Sequence, residues 1–470
     1  MPILAAFMVP HPPMIVPQVG LGSEKKISRT VKAYEETAAQ IAALKPETIV
    51  VTSPHIVLYS DYFHIAPGLR AAGSFGPFGA PGVRFSEQYD AQFVQELCGI
   101  AENAGFPAGT LGEREKELDH GTMVPLFFIR KKYSGFRLVR IGLSGLPLAD
   151  HYRLGEMIRE AAERTNRRVV LVASGDLSHK LKDYGPYGYA EEGPEYDARI
   201  MDVCSRAAFG ELFDFDEAFC DRAAECGHRS FVIMAGAFDG RKVTAKQLSH
   251  EDVTGVGYGI CTFYPGEEDP SRRFLKQYLE KQEAELSAVR GKEDAYVRLA
   301  RASVEKYVMK RRMLSLREYC AGADAEAPLP KELTDTCAGA FVSIHKHGKL
   351  RGCIGTILPT KESLALEILH NAVSACARDP RFDPVQPEEL PWLEINVDVM
   401  GKPEPVDSPD ALDVKRYGVI VTKGGRRGLL LPDLEGVDTV EQQISIAKQK
   451  AGIRPGEQVS LERFEVVRHR

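Results

Sequence analysis

Three short apolar runs, each ending in a histidine, constrain this chain most. Leu4-Ala5-Ala6-Phe7-Met8-Val9 leads into Pro10-His11-Pro12-Pro13, and Ile49-Val50-Val51-Thr52 leads into Ser53-Pro54-His55. Val169-Val170-Leu171-Val172-Ala173 leads into Ser174-Gly175-Asp176-Leu177-Ser178-His179. Runs this short, rich in β-branched residues and closed by Pro, Gly or Ser, read as buried strands. In an open α/β sheet, ligands sit in the crevice at the carboxyl ends of the strands. Three imidazoles carried to that edge predict one site for a metal or for proton transfer.

The rest of the first half supports a sheet of this kind. Helical spacing over Ser28–Leu44, Glu87–Gly105, His151–Thr165 and Asp197–Phe209 alternates with strand-like Leu138–Leu143 and a closing strand Gly257–Tyr264. Strands alternating with helices predict an α/β domain with a largely parallel core sheet, here residues 1–264. The breaker cluster Pro265–Pro270 and the charged helical stretch Arg272–Arg290 read as a linker over 265–293. A helix opening at Asp294, strand pieces Gly339–His345, Leu393–Met400, Gly418–Thr422 and Gly428–Leu431, and helices Lys361–Arg378 and Thr439–Ala451 predict an α+β domain over 294–470.

Charge and composition narrow the function classes. A net charge of -6 gives no reason to expect nucleic acid or an anionic membrane as partner. No apolar run approaches the roughly 20 residues of a membrane helix. The first ten residues lack a basic leader and read as a strand, so the expected location is the cytoplasm. Nine scattered cysteines form no C-x-x-C pair, which argues against structural zinc and for mostly buried free thiols.

A fourth histidine, in Leu118-Asp119-His120-Gly121, joins the three, and Glu225-Cys226-Gly227-His228 supplies a carboxylate. A mononuclear Fe(II) site for oxygen chemistry uses two imidazoles and one carboxylate, leaving open positions. His11, His55 and Glu225 can supply that set, and His120 and His179 then remain as acid and base, since imidazole titrates near about 6.5. Each histidine alone reads rather as a satisfied polar residue at a strand end or helix start, and it is their joint placement at strand ends with Gly/Pro-rich flanks that points to a site. His64, His151, His228 and His250 lack the strand-end context and read as structural or surface residues. Asp176 and Asp119 are candidates to orient the neighbouring imidazoles; Asp176 reads equally as a helix N-cap.

At these residues the first half resembles the class III (LigB-type) extradiol ring-cleavage dioxygenases and the related Memo proteins. The resemblance rests on Pro10-His11-Pro12-Pro13, Ser53-Pro54-His55, Asp119-His120-Gly121 with Val124-Pro125-Leu126, and Gly175-Asp176-Leu177-Ser178-His179. It implies His11 and His55 as iron ligands and His120 and His179 as the acid–base pair. For the third ligand, the dioxygenases point to Glu225 and the Memo proteins to Cys226. It also implies Fe(II) as cofactor, and a catechol- or aminophenol-like aromatic substrate with O2 as the reacting partners.

In the second half, Leu350-Arg351-Gly352-Cys353-Ile354-Gly355 follows a turn at His347-Gly348. Arg351 beside Cys353 suggests a reactive thiol, because positive charge favours thiolate; a glycine-rich strand with a small core cysteine is the alternative. Arg351, Arg378 and Arg381 can recognise an anion if they converge, and otherwise read as surface ion-pair partners. With Asp379-Pro380-Arg381-Phe382 and Gly428-Leu429-Leu430-Leu431-Pro432, this half resembles the AMMECR-type domain. The two halves together resemble the AmmeMemoRadiSam system. That resemblance implies a separate radical S-adenosylmethionine protein as partner, since this chain has no C-x-x-x-C-x-x-C motif. Two expectations follow: an iron-dependent, oxygen-activating enzyme, or a metal-binding, non-oxygenase component of such a system.

Overall fold

The computed structural model describes residues 2–112, 117–322, 329–346, 348–434 and 436–470. The chain divides into two compact units after Leu279. The first contains, in order, β1 (Ile3–Val9), α1 (Pro17–Gly20), α2 (Ser28–Leu44), β2 (Thr48–Ser53), β3 (Phe63–His64), β4 (Arg70–Phe75), β5 (Ala80–Gln88), α3 (Ala91–Asn103) and β6 (Ala108–Gly109). It continues with α4 (His120–Arg130), β7 (Arg137–Gly142), α5 (Leu148–Arg164), β8 (Val169–Ser174), α6 (Glu192–Arg206), α7 (Glu217–Ala223), α8 (His228–Gly236), β9 (Arg241–Glu251) and β10 (Tyr258–Glu268). Helix α9 (Phe274–Arg290) spans the point of division.

Six strands form the central sheet, in the order β7-β2-β8-β1-β10-β9. The first four are mutually parallel, and β10 and β9 complete the sheet antiparallel. Every residue of β2 and β8 is buried, as expected of parallel strands covered on both faces. Val50, Val139 and Leu171 pack with Phe93 and Leu97 of α3, Ile158 of α5 and Phe231 of α8. On the other face Val51, Leu138 and Val172 pack with Tyr34 and Ile41 of α2 and Val124 and Phe128 of α4. Because β2, β8 and β1 are neighbours running the same way, the segments that follow them emerge at one edge.

Several boundaries differ from the sequence expectation: the helices read from His151 and Asp197 start earlier, at Leu148 and Glu192. The helix read from Glu87 begins at Ala91, because Glu87 and Gln88 close β5 and the Asp90 carboxylate accepts the Phe93 N–H at 3.3 Å as an N-cap. Strand β10 runs on through Pro265 to Glu268. Its pairing with β1 covers Cys261 to Phe263, while β9 pairs with it out to Glu268, so a proline falls where one side has no ladder.

The second unit contains α10 (Ala295–Lys310), α11 (Leu316–Ala321), α12 (Lys331–Asp335), β11 (Ala340–Lys346), β12 (Lys349–Gly355), α13 (Leu364–Ala377), β13 (Leu393–Met400) and β14 (Glu404–Val406). Then follow β15 (Gly418–Lys423), β16 (Arg426–Leu430), α14 (Val440–Lys450), β17 (Ser460–Phe464) and β18 (Val466–His469). Two four-stranded antiparallel sheets result, β12-β11-β13-β18 and β14-β17-β15-β16. Helices α10 and α13 cover the first through Val297, Val304, Ile368 and Ala372 against Val342, Ile344 and Ile395. Ala447 of α14 packs with Val419, Val421 and Leu430 of the second. The helix read from Lys361 starts at Leu364, where Ser363 accepts the Leu366 N–H. His347, read as part of a turn, lies outside the described residues. Among the described residues, no helix is long and apolar enough to cross a membrane.

Candidate metal centre

The segments following β1, β2 and β8 converge with the N-terminus of α4 and the loop before α8. Two groups of ligating atoms result, each within 4.8 Å: His11, His55 and His120, and His11, Asp176 and Cys226. His11 belongs to both. Its ring Nδ1 lies 3.0 Å from Ser174 Oγ, and that hydroxyl donates to the Gly121 carbonyl at 2.6 Å. With its one proton so used, Ser174 Oγ accepts from His11 Nδ1–H. The His11 Nε2 lone pair is therefore left facing the cluster, the tautomer a metal ligand needs.

His55 Nε2 stands 3.0 Å from His11 Nε2. Its backbone N–H donates to Ser53 Oγ at 3.2 Å, whose own proton goes to Asp119 Oδ1 at 2.7 Å. Asp119 also caps α4 through Thr122 N–H at 2.9 Å, which brings His120 to within 3.9 Å of the His55 ring, centroid to centroid. A Cβ on Gly121 would fall 2.3 Å from Ser53 Oγ and 3.3 Å from the His55 ring, so this approach needs glycine.

The second group includes a thiol. Cys226 Sγ lies 3.6 Å from His11 Nε2 and accepts the Asp176 N–H at 3.3 Å. Glu225, the carboxylate taken as third ligand, stands in neither group. Its Oε2 accepts the His228 N–H at 2.6 Å at the start of α8, and the Cys226 N–H donates to Asp176 O at 3.4 Å. Those two backbone contacts turn the neighbouring side chains apart. Asp176 is not a helix N-cap, because the chain after β8 stays non-helical. Leu177 N–H donates to Gly257 O at 2.9 Å and Ser178 N–H to Asp197 Oδ1 at 2.9 Å. Asp176 Oδ1 instead accepts the His11 N–H at 2.7 Å, and its Oδ2 lies 3.9 Å from His179 Nε2. His179 Nδ1 donates to the Ala224 carbonyl, which can only accept, and its Nε2 faces Asp176.

Burial sets the protonation states. It pushes His11 well below the usual imidazole value, helped by His55 and His120. It lowers His55 also, and takes His120 down to about 4 with help from His55. Burial raises the Cys226 thiol well above its usual range, with Asp176 and Glu225 adding to it, and raises the Asp176 carboxyl. At neutral pH the donors are thus bare imidazoles and a protonated thiol, and a bound cation displaces the thiol proton. Two spacings fit a transition-metal ion, His11 Nε2 to His55 Nε2 at 3.0 Å and His11 Nε2 to Cys226 Sγ at 3.6 Å, while His55 and Cys226 share no group. With metal–nitrogen bonds of about 2.0–2.1 Å and a metal–sulfur bond of about 2.3 Å, donors at about 90–110° lie about 2.9–3.4 Å (N···N) and about 3.1–3.6 Å (N···S) apart. His55 and His120 also line a cavity of about 750 Å³, with Phe78, Phe85, Met123 and Arg140 among its walls.

The remaining histidines of the first unit act within the fold. His151 and His228 are buried and bond the Pro147 and Leu212 carbonyls; His250 pairs with Asp197 at 2.7 Å, and buried His64 lies 3.1 Å from Leu111 O on the cavity wall. In the second unit, Cys353 lies in β12 and accepts from Ser343 Oγ at 3.2 Å, while its N–H donates to Asp379 Oδ2 at 2.9 Å. Arg351 is bidentate on Glu389 at 3.0 and 2.9 Å, and Arg381 on Asp379 at 2.9 and 2.7 Å. Both guanidinium groups are committed to carboxylates of the same unit, and Arg378 is exposed. The sequence reading missed Ser53 and Ser174, which orient the imidazoles, and Arg140, whose signal was a charged residue inside an apolar strand.

The family model described as the catalytic LigB subunit of aromatic ring-opening dioxygenase matches residues 5–261, and the AMMECR1 model matches residues 297–469. A protein of Clostridium acetobutylicum is 38% identical over 475 residues, covering 99% of this chain and 98% of that protein. A protein of Thermotoga maritima is 51% identical over 180 residues, covering 38% of this chain and 98% of its own length. A crystal structure of an uncharacterized protein from Pyrococcus horikoshii, 30% identical, covers 37% of this chain and 88% of that one with a TM-score of 0.33.

Proposed function

This chain belongs to the family of the catalytic LigB subunit of aromatic ring-opening dioxygenases, with an AMMECR1 domain following, and on that premise we propose that its first domain is an Fe(II)-dependent, oxygen-activating enzyme acting on a small catechol- or aminophenol-like substrate. The observation that supports this best is that His11 stands in one group of ligating atoms with His55 and His120, which line the cavity of about 750 Å³, and in a second group with Asp176 and Cys226. We assign His11, His55 and Cys226 to the metal, which requires His55 and Cys226 to draw together around His11, with Asp176 beside them. Bound there, Fe(II) supplies Lewis acidity and one-electron chemistry toward O2.

The chain's own groups have distinct tasks. Phe78 and Phe85 offer aromatic walls on which a flat ring packs. His179, its Nδ1 held by Ala224, presents Nε2 to take a hydroxyl proton from an incoming substrate. His120 is neutral at physiological pH, so it accepts a proton and later returns it to an oxygen nearby. Asp176 stabilises the imidazolium that His179 becomes.

Anaerobic Fe(II) titration of the wild type and His55→Ala, followed by O2 uptake with catechol and 2-aminophenol, tests this reading. It expects about one iron per chain, most of it lost in the variant, and uptake with at least one phenol. Cys226 favours a second reading: a thiolate suits softer metals than a carboxylate does. In that case the domain is a metal-binding, non-oxygenase component working with a radical S-adenosylmethionine protein, and the same experiment returns metal without oxygen uptake.

A further inference from the structure

We propose that Cys353 is the nucleophile of a second reactive site, in the AMMECR1 domain, and that it undergoes thiol–disulfide exchange with small disulfides carrying carboxylates. Four groups converge there: Ser343 of β11, Cys353 of β12, Arg381 after α13 and Lys450 at the end of α14. Gly352 passes against α13, where a Cβ would fall 2.2 Å from the Ala375 carbonyl oxygen. Side chains alternate along a strand, so Cys353 projects from the opposite face, as its ladder partner Ser343 does. On that face Phe341 packs with Ile420 and Phe464 of the second sheet of this unit.

Side chains hold the polar atoms of Cys353 in place. Its N–H donates to Asp379 Oδ2 at 2.9 Å, its carbonyl accepts from Arg381 Nη2 at 3.1 Å, and its Sγ accepts from Ser343 Oγ at 3.2 Å. Arg381 is itself bidentate on Asp379, which offsets its charge. Lys450 has no such offset: among the described residues it makes no hydrogen bond or ion pair. Partial burial holds its ammonium below the usual lysine value, Cys353 pulls it up and Arg381 pushes it down, so it acts on the sulfur through space. The other two half-buried thiols face carboxylates instead: burial raises Cys98, with Glu102 adding to it, and raises Cys226, with Asp176 and Glu225 adding. In the exchange the Cys353 thiol gives its proton to water and the thiolate attacks one sulfur of the disulfide. A new S–S bond forms to Cys353 as the original one breaks, and the departing half leaves with the electron pair as a thiolate that water protonates. Cys353 is oxidised and the departing half is reduced, while Lys450 meets a carboxylate of the incoming half. Acyl transfer fits less well, because the Cys353 N–H that an oxyanion would use is spent on Asp379.

This site is independent of the metal centre, and its test needs no metal. The full chain is incubated with oxidised glutathione (anionic), bis(hydroxyethyl) disulfide (neutral) or cystamine (cationic), and the adduct at each cysteine is followed in time by peptide mass spectrometry. Cys353 should form a mixed disulfide that dithiothreitol reverses. Its glutathione-to-cystamine rate ratio should exceed that of N-acetylcysteine amide, a neutral model thiol, by about 5-fold, the upper size of one exposed charge pair. Lys450→Gln should remove that excess and Lys450→Glu should invert it, with the neutral disulfide reporting any change in access. Cys353 left unmodified while the exposed Cys320 and Cys337 react, a ratio equal to that of the model thiol, or a ratio unchanged in both Lys450 variants overturns the proposal.

Discussion

Adding one methyl group at Gly175 should separate the two loops that build the site. A Cβ there would fall 2.1 Å from Gly227 Cα and 3.0 Å from its nitrogen. That is more than about 1 Å inside the optimal separation of carbon atoms, and both sides are backbone, so no rotamer change relieves it. Gly227 cannot retreat freely, because Phe231 of α8 and Asp176 O already lie against it. Overpacking of this kind costs about 1–3 kcal/mol. The loop carrying Cys226 must move away from Asp176, whose N–H it accepts at 3.3 Å, and from His11 at 3.6 Å. Displacing such a support lowers metal affinity by about 10- to 100-fold. Urea unfolding followed by circular dichroism, and a metal titration against a competing chelator, measure the two effects in Gly175→Ala. Gly82→Ala serves as control: a Cβ there meets nothing within 4 Å, and stability should stay within about 0.5 kcal/mol of wild type. If Gly175→Ala matches the control in both assays, the backbone contact does not hold the site together.

Three further outcomes follow from the same geometry. Ser174→Ala removes the acceptor of His11 Nδ1–H in a buried setting and should cost about 1–2 kcal/mol and about tenfold or more in metal affinity, read by the same titrations. His120 is held at about 4 in the fold, below its ordinary 6.5, so the unfolded chain binds the extra proton first. Its contribution is full above pH 6.5 and is lost as pH falls through about 4; metal-free wild type should therefore lose stability across that window more steeply than His120→Asn, by denaturant titration at several pH values. In the second unit, Asp379→Ala strands the Cys353 N–H and the Arg381 guanidinium and should destabilise that unit by about 2–3 kcal/mol in thermal or urea melts.

The strands that carry the histidines were legible because nothing long-range is needed to see them. Burial on both faces makes β2 and β8 uniformly apolar, and Pro, Gly or Ser ends each run where His11, His55 and Asp176 begin. The order of these strands as neighbours follows from α/β topology, so the gathering of His11, His55 and His120 could be anticipated. The choice between Glu225 and Cys226 could not. Two adjacent residues project differently, and the direction is decided by the close pass of Gly175 and Gly227 and by the capping bond from Glu225 to His228, contacts invisible to local pattern. The N-cap reading of Asp176 failed for a related reason: Gly257 and Asp197, far along the chain, take the N–H groups a helix would have used. Strands β4, β5 and β9 are partly exposed and polar on one face, and β14, β17 and β18 are short or largely polar, so hydrophobic periodicity passed over them.

The central claim is that a metal ion is held by His11, His55 and the Cys226 thiolate. Cobalt(II) substitution under anaerobic conditions tests it directly, because a cobalt–thiolate bond gives an intense ultraviolet charge-transfer band that carboxylate ligation lacks. The account predicts that band in wild type and in Glu225→Gln, and its loss in Cys226→Ser. A band-free cobalt complex in wild type, or metal binding that survives Cys226→Ser unchanged and disappears in Glu225→Gln, would contradict it.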